Sequence, residues 1–255
     1  MAAAQQQRVV VMRHGDRLDH AEPMWAAKQP RPWDPPLTDA GILRAWTVGK
    51  RIRAQAAADG YQLHRVLVSP FFRCRQTAAQ AVAALCAVPD DADLVAVVSS
   101  ANVPLDTSRV KMSVEYGLSE MMNTEAMGVL VSQVAPNVEK WFPDLAELEA
   151  ILPAETIDHS TEPLYPEVPK WGESVRGARI RYASVIKALA DKYPDENLLL
   201  VTHGEAVGSS VACFGTGVEV YDVEYCAYSL LERQHQADES EGGTKVGRVS
   251  QEGKN

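Results

Sequence analysis

The sequence predicts an α/β fold: a three-layer sandwich with a mostly parallel central sheet, helices on both faces and a lid-like insertion. Four runs of consecutive apolar residues, typical of strands buried on both faces, occur at 8–12, 63–69, 94–99 and 197–202. Segments with the three- and four-residue apolar spacing of helices lie between these runs. Because strands that alternate with helices form a sheet covered on both faces, the two patterns together predict the sandwich.

The helices follow from this spacing and from one capping residue. Thr38 is the expected N-cap of a helix at 39–58. Further helices are predicted at about 71–85 and 174–193, and another begins just after His203. These helices would supply both outer layers of the sandwich.

The chain departs from this alternation at three places. Residues 225–231 predict a further strand, at the edge of the sheet. Residues 121–172 hold two candidate helical pieces and a proline-rich stretch, which favours an insertion or lid over another core unit. Residues 232–255 are polar and predict a disordered tail, so we expect a single domain at 1–231.

The composition excludes several classes of partner. The 255-residue chain has 34 Asp and Glu against 25 Lys and Arg, a net charge of −9, which argues against nucleic-acid partners and anionic membranes. Its four cysteines lack zinc-site spacing, and no apolar stretch is long enough for a signal peptide or a membrane span. We expect a cytoplasmic protein and leave open whether it forms a homodimer.

Basic residues and histidines follow three of the predicted strands. The first strand is followed by residues 13–17 (R-H-G-D-R) and the last by His203 and a glycine. After the second strand, Arg73 or Arg75 falls on the first turn of a helix, where free backbone N–H groups already favour an anion. Ligands bind beyond the carboxyl ends of parallel strands, and guanidinium groups match phosphate oxygens. The sequence therefore predicts a site for a phosphate group at this edge.

These motifs resemble those of the histidine phosphatase (phosphoglycerate-mutase-like) superfamily. They occur in the order Arg-His-Gly, Ser-Pro…Arg…Gln-Thr-Ala and Thr-His-Gly, and the resemblance runs from about residue 8 to 231. It implies that His14 is the nucleophile that becomes phosphorylated, and that Arg13, Arg73 and His203 bind the phosphate. The R-H-G-x-R form is similar to the phosphatase domains of the T-cell ubiquitin ligand proteins, which implies Arg17 as an additional phosphate ligand.

The resemblance also implies a proton donor. The family carries a glutamate in a Gly-Leu-x-Glu pattern after its third strand, and Glu120 matches it, with Glu115 as the second candidate. In this chemistry a neutral imidazole attacks phosphorus, and a carboxyl protonates the leaving group and then activates water. Arginines and a protonated His203 would neutralise the charge, so neither a metal nor another cofactor is expected. Arg75 is expected to be a surface residue.

The predicted function is a phosphomonoester hydrolase that acts on a phosphorylated small molecule or phosphopeptide. No cysteine is followed by arginine at the spacing of cysteine-dependent phosphatases, and no nucleotide-binding glycine loop occurs. A phosphoglycerate-mutase-type phosphotransferase stays open, although residues 16–20 lack the Ser and Asn that mutases carry there. A catalytically weak module that binds a phosphorylated ligand also stays open. The apolar residues of the insertion favour an apolar or aromatic leaving group; they are Trp141, Phe142, Leu164, Tyr165 and Trp171.

Overall fold

The central sheet has six strands in a computed structural model, which describes residues 6–215, 220, 222–234 and 244–250. The strands are β1 (Gln6–Arg13), β2 (Arg65–Val68), β3 (Lys111–Val114), β4 (Leu198–Thr202), β5 (Tyr228–Gln234) and β6 (Thr244–Ser250). Their order is β3-β2-β4-β1-β5-β6. The first four in this order are parallel, whereas β5 and β6 are antiparallel to their neighbours.

Helices cover both faces of the sheet. The α-helices of the described residues are α1 (Leu18–Ala21), α2 (Asp39–Ala58), α3 (Phe72–Cys86), α4 (Asp91–Val95), α5 (Thr124–Val134), α6 (Leu145–Glu149), α7 (Val175–Lys192) and α8 (Gly204–Phe214). Thr38 caps α2 as predicted, since its hydroxyl accepts from the Gly41 N–H at 3.0 Å. The helices predicted at 71–85, at 174–193 and after His203 are confirmed as α3, α7 and α8.

Alternate residues of the strands form two cores, one on each face. The face that packs against α2 and α3 carries Val10, Met12, Val66, Val68, Leu199 and Val201. The face that packs against α7 and α8 carries Val9, Val11, Leu67, Leu198 and Leu200. Because both faces are apolar, the strands read as continuous hydrophobic runs, and the predicted three-layer α/β fold is confirmed.

The prediction of a strand at 94–99 is wrong. Residues Asp91–Val95 form α4, which Asp90 caps by accepting from the Asp93 N–H at 2.9 Å. Val95 and Val98 are exposed, so this apolar run does not enter the sheet. The third strand is instead β3, whose sequence KMSV contains Lys111 and a serine because it lies at the edge of the sheet.

The carboxyl-terminal predictions are partly wrong. The strand predicted at 225–231 exists as β5, but β6 pairs with its outer side, so β5 is not the edge. A disordered tail from residue 232 is contradicted by the strands at 232–234 and 244–250. Residues 235–243 and 251–255 lie outside the described residues. Two helices, α5 and α6, do form within the predicted insertion at 121–172.

No helix in the described part of the chain is both long and apolar enough to cross a membrane.

Candidate active site

The two predicted histidines lie side by side at the carboxyl edge of the parallel strands. His14 follows β1 and His203 follows β4; these strands are neighbours, and their last paired residues are Arg13 and Thr202. Both imidazoles are buried, and their ring centroids lie 5.4 Å apart in an edge-to-face arrangement. Two motifs separated by almost 190 residues of sequence therefore meet at one point of the sheet.

His14 is held in one tautomer. Its Nδ1 lies 2.8 Å from the carbonyl oxygen of Gly15, which can only accept, so Nδ1 carries the proton and Nε2 keeps its lone pair. Burial, followed by the nearby charges of Arg73, His203 and Arg13, holds the pKa of His14 well below its usual value of 6.5. The ring is therefore neutral at neutral pH, the state that a nucleophilic imidazole needs.

The loop that carries His14 packs tightly on two helices. A Cβ on Gly15 would lie 2.8 Å from the carbonyl oxygen of Gly41 in α2, so only glycine fits. The Gly15 N–H donates to the Thr77 hydroxyl of α3 at 3.0 Å. The contact with α2 thus requires the glycine of the Arg-His-Gly motif, and the threonine of the Gln-Thr-Ala motif bonds the same residue from α3.

Arg73 lies on the first turn of α3 and is buried beside both histidines. Its Nη1 donates to the carbonyl oxygen of Trp33 at 3.2 Å, and its Nη2 approaches Oε2 of Glu120 at 3.5 Å. The Nε–H groups of Arg73 and Arg13 are buried with no hydrogen-bond partner among the described residues. A buried donor without an acceptor is costly, and the oxygens of a phosphate group would supply acceptors.

Arg13 is held by an aromatic ring and one carbonyl. Its guanidinium carbon lies 4.1 Å from the ring centroid of Tyr225, and its Nη1 donates to the Val223 carbonyl. Gly204, at the start of α8, leaves space for it: a Cβ there would lie 3.4 Å from Arg13 Cδ and Nε. No motif marks Tyr225 as a site residue, although it lies in the segment predicted as a strand at 225–231.

Arg17 reaches the same region but is paired with a carboxylate. Both oxygens of Asp19 accept from its guanidinium, at 2.9 Å from Nε and 2.6 Å from Nη2. Although burial opposes the charge, this pairing raises the pKa of Arg17. Burial, followed by the charge of Arg17, lowers the pKa of Arg73. A phosphate bound by Arg17 would have to share it with Asp19.

Glu120 points at His203 and Arg73. Its Oε2 lies 3.1 Å from Nδ1 of His203, and its Oε1 accepts from the Met121 N–H at 3.1 Å. Burial alone would raise the pKa of this carboxyl, but His203, Arg73 and the Met121 N–H together hold it well below its usual range. Glu120 is therefore ionised in this arrangement, and it would accept a proton only when another anion takes over these partners.

His203 is neutral in this arrangement, whereas the sequence predicts a protonated ring when a phosphoryl group is bound. Burial, with Arg73 as a further cause, lowers its pKa to about 4 despite the neighbouring Glu120. A neutral ring satisfies its neighbours when Nδ1 donates to Glu120 and Nε2 accepts from the Ser69 hydroxyl at 2.9 Å. A phosphate dianion next to the ring would raise the pKa of His203.

Glu115, the second candidate for the acid, is engaged elsewhere. Its two carboxylate oxygens accept from the N–H groups of Gly117, Leu164 and Tyr165 at 2.8, 2.6 and 3.1 Å. Burial raises the pKa of Glu115 even with these three donors. It therefore joins the insertion to the turn after β3, and the geometry favours Glu120 as the acid.

Two residues of α7 hold the loop that carries Glu120. Nη1 of Arg181 donates to the carbonyl oxygens of Gly117 and Ser119 at 2.6 and 3.0 Å. The Tyr182 hydroxyl also donates to the Ser119 carbonyl, at 2.7 Å. No motif predicts these contacts, since they join segments more than 60 residues apart.

Arg75 is buried, not on the surface as predicted. Its Nε donates to the carbonyl of Pro70 at 2.9 Å and its Nη1 to that of Leu148 at 2.7 Å. These bonds tie α3 to α6, so Arg75 has a structural role away from the histidines.

The aromatic residues of the insertion divide into two groups. Trp141 stacks on Trp171 at 5.7 Å and meets Trp33 edge to face at 5.0 Å, while Phe142 meets Phe71 at 4.9 Å. This group adjoins the site, because Phe71 contacts the ring of His203 at 5.0 Å. Leu164 and Tyr165 lie apart from this group, against Glu115.

The charge of the site suits an anion better than a metal ion. One ligating atom each of His14, Glu120 and His203 lies within 4.8 Å of the others, as a metal centre would require. However, the Arg73 guanidinium lies 3.3 Å from His203 and 3.5 Å from Glu120, where it would repel a cation. The two buried arginine donors without partners favour an oxyanion for the same reason.

A cavity of about 920 Å³ opens at the opposite edge of the sheet, near the start of β1. Two of its arginines are already bound to backbone carbonyls. Arg53 donates to Ala84, Ala87 and Pro89, and Arg109 donates to Ala87. We assign these side chains to capping the end of α3.

Comparison with known proteins gives one family. The sequence profile of the histidine phosphatase superfamily (branch 1) matches residues 9–95 and 101–241. No curated protein matches the chain significantly.

Several solved structures share the fold. Phosphoglycerate mutase from Bacillus anthracis str. Sterne is 15% identical, with 91% of this chain and 89% of that chain covered and a TM-score of 0.53. Phosphoserine phosphatase from Entamoeba histolytica, solved with 3-phosphoglyceric acid, is 12% identical, with coverages of 96% and 97% and a TM-score of 0.52. A mycobacterial glucosyl-3-phosphoglycerate phosphatase is 15% identical, with coverages of 95% and 97% and a TM-score of 0.51.

Proposed function

The chain belongs to the histidine phosphatase superfamily, branch 1, and on that basis we propose that it is a phosphomonoester hydrolase that forms a phosphohistidine on His14. One observation carries the proposal. His14 is neutral, with Nδ1 bonded to its own loop, and it lies beside Arg13 and Arg73, whose buried Nε–H donors have no partner among the described residues.

The first step transfers the phosphoryl group to the enzyme. Nε2 of His14 attacks phosphorus opposite the ester oxygen, so that the P–N bond forms as the P–O bond to the leaving group breaks. The departing oxygen takes a proton from Glu120, while Arg13 and Arg73 neutralise charge on the phosphoryl oxygens. Arg17 also neutralises charge on the phosphoryl oxygens if the phosphate displaces Asp19 from its guanidinium.

Substrate binding would raise the pKa of Glu120, so that the carboxylate takes a proton from solvent. Its carboxylate pairs with His203 and Arg73, which are also the groups proposed to bind the phosphate. A dianionic phosphate that takes these partners removes the causes of the low pKa of Glu120, and burial then favours the protonated acid. The proton would be present on Glu120 only in the complex that needs it.

The second step releases inorganic phosphate. Glu120, now a carboxylate, takes a proton from water as that water attacks phosphorus. The P–N bond breaks, and His14 returns to its neutral form with the proton on Nδ1. Each turnover consumes one water, and neither step requires a metal ion.

The loop after His14 supports hydrolysis over a mutase reaction. Residues 16–20 read Asp-Arg-Leu-Asp-His and lack the Ser and Asn of the mutases, and Asp19 binds Arg17 at this position. The solved structures with this fold include a mutase as well as phosphatases, so the fold does not choose between the two reactions. The closer relation to the phosphatase domains of the T-cell ubiquitin ligand proteins is part of the proposal and rests on the motifs alone.

The substrate proposed is a phosphorylated small molecule or phosphopeptide with an apolar or aromatic leaving group. Its support is the group formed by Trp33, Trp141 and Trp171, which meets the site through the bond from Arg73 to the Trp33 carbonyl. A cytoplasmic location is also proposed; the free thiols of Cys74, Cys86 and Cys213 suit a reducing compartment.

Release of inorganic phosphate from p-nitrophenyl phosphate, from a phosphotyrosine peptide and from phosphorylated metabolites tests the proposed reaction. We expect stoichiometric phosphate from at least one of them, and none from His14→Ala. Transfer of the phosphoryl group between positions of 3-phosphoglycerate without net release would support the mutase instead. Binding of inorganic phosphate without turnover of any compound would support the binding module.

A further inference from the structure

Tyr225 contacts two central residues of the site, and neither the motifs nor the proposed mechanism assigns it a role. Its ring lies under the guanidinium of Arg13 at 4.1 Å, and its centroid is 5.7 Å from that of His14. A cation over the face of an aromatic ring is held by the negative charge of that face. Because the hydrogen bonds from a guanidinium to phosphate oxygens depend on its orientation, a residue that fixes the orientation of Arg13 would affect phosphate binding.

The phenol links this ring to the segment that carries Arg17. The Tyr225 hydroxyl and Nδ1 of His20 lie 2.7 Å apart, and His20 belongs to α1. Arg17 is the residue immediately before α1, and it is held by Asp19 of the same helix. Tyr225 therefore contacts Arg13 through its ring and, through its hydroxyl, His20 of the helix that follows Arg17.

The backbone after Tyr225 adopts an uncommon conformation, and its hydrogen bonds attach the turn to the site. Cys226 has a φ of +60°, a conformation that is uncommon for residues other than glycine. Its N–H donates to the carbonyl oxygen of His14 at 3.2 Å, and the next residue, Ala227, accepts from the Arg13 N–H at 2.9 Å. The turn is thus bonded to the backbone of both residues that the ring contacts, and these bonds hold it in the strained conformation.

We propose that Tyr225 is a positioning residue that holds the Arg13 guanidinium in place for the phosphate, an inference that rests on the proposed function. Arg13 has one bond to a carbonyl, from Nη1 to Val223, and its Nε–H has no partner among the described residues. The ring face supports the guanidinium without occupying any of its donors. A polar partner would compete with the phosphate for these donors, whereas an aromatic ring leaves them available.

A residue that only fills space would behave differently. Its loss would lower stability, phosphate binding and turnover together. Changing the charge distribution of its ring without changing the shape would have no effect. Other charges face the Tyr225 hydroxyl, from Arg17, Asp16 and Asp19, but the contact with Arg13 involves the ring face. Tyr225→Phe keeps that face and removes only the bond to His20, which makes it the matched control.

The experiment measures binding of inorganic phosphate by calorimetry and turnover of p-nitrophenyl phosphate. We expect Tyr225→Leu to weaken phosphate binding about 3- to 30-fold and Tyr225→Phe to stay within about 2-fold of the parent. In an Arg13→Ala background, Tyr225→Leu should cause little further loss, because the two residues act as one unit. His20→Ala should resemble Tyr225→Phe.

A second pair of variants keeps the test open if Tyr225→Leu does not fold. Tyr225→pentafluoro-Phe retains the shape of Tyr225→Phe but removes the negative ring face, and it should bind phosphate more weakly than Tyr225→Phe. Equal binding by these two variants, or a loss from Tyr225→Leu that persists undiminished without Arg13, would overturn the inference. Because binding is measured apart from turnover, an inactive protein whose phosphate affinity still follows this pattern would contradict the proposed function alone.

Discussion

Oε2 of Glu120 lies 3.1 Å from Nδ1 of His203, and both side chains are buried. The carboxylate pairs with the ring and with Arg73, two of the groups proposed to bind a phosphate. In the proposed mechanism a substrate displaces this internal anion and so changes the charge state of the residue proposed as the acid. Phosphate binding and proton delivery would then be coupled through one contact.

Replacing the proposed acid should affect poor leaving groups most. Glu120→Gln should slow phosphorylation by an alkyl phosphate about 10²- to 10⁴-fold and by p-nitrophenyl phosphate far less, because nitrophenolate needs no proton to leave. Single-turnover measurements isolate this step from dephosphorylation. Glu115→Gln is the control: it should lower stability through its backbone contacts but slow both substrates alike. The reverse pattern would exchange the two roles.

Acid should destabilise the fold through the buried histidines. Burial lowers the pKa of His203 to about 4 and that of His14 below 6.5, so the unfolded chain binds more protons than the folded protein between these values. The free energy of unfolding should therefore be fully retained above about pH 6.5 and fall toward pH 4, by up to about 1.4 kcal/mol per pH unit for each histidine. Urea unfolding at a series of pH values measures this dependence. The free energy of unfolding of His203→Gln should fall less steeply with decreasing pH than that of the parent, and an equally steep fall would contradict the assignment.

Arg181 should matter for catalysis although it touches no substrate. It holds the carbonyls of Gly117 and Ser119, and Glu173 pairs with it at 2.7 Å. Arg181→Met should cost about 3–5 kcal/mol of stability, because it leaves Glu173 without its cation. The folded variant should also have a lower kcat than the parent on alkyl phosphates, with little change in KM, because the loop that carries Glu120 is less well positioned. Arg179→Met, on the exposed side of the same helix, is the matched control and should leave kcat unchanged.

Two glycines near His14 should respond differently to alanine. In Gly15→Ala the new Cβ would meet the Gly41 backbone at 2.8 Å, so the loop has to move; we expect a loss of about 1–3 kcal/mol and most of the activity. In Gly204→Ala the nearest atoms belong to the Arg13 side chain at 3.4 Å, an ordinary contact. Its kcat/KM should stay within about 3-fold of the parent, since the added Cβ makes an ordinary van der Waals contact with a flexible side chain. Similar activity of both variants would show that close packing at Gly15 is not required.

Local pattern was enough to predict β1, β2 and β4, because both faces of these strands are buried and their apolar runs are continuous. It failed at β3, where Lys111 lies at the edge of the sheet, and at 94–99, where the valines are exposed. The motifs placed His14, Arg73, Glu120 and His203 together, since parallel strands bring their carboxyl ends to one edge.

The remaining features depend on contacts between segments far apart in the sequence. Tyr225 reaches Arg13 across more than 200 residues, and no pattern near Tyr225 encodes that approach. The same holds for Arg75. An arginine on a helix suggests exposure, but the Leu148 carbonyl, 73 residues away in the sequence, accepts a hydrogen bond from it. The neutral state of His203 also follows from burial, which the sequence around it does not report.

The most direct test of the mechanism is to trap the phosphorylated enzyme. Brief incubation with a ³²P-labelled substrate followed by an alkaline quench should give about one label per active site, stable to alkali and released by acid, as expected for a phosphoramidate on His14. Peptide mapping should place it on His14, and comparison with phosphohistidine standards after alkaline hydrolysis should place it on Nε2, the nitrogen that does not face the Gly15 carbonyl. Folded His14→Ala should take up no label. Acid-labile label that persists in that variant, or label on any residue other than His14, would contradict the central claim.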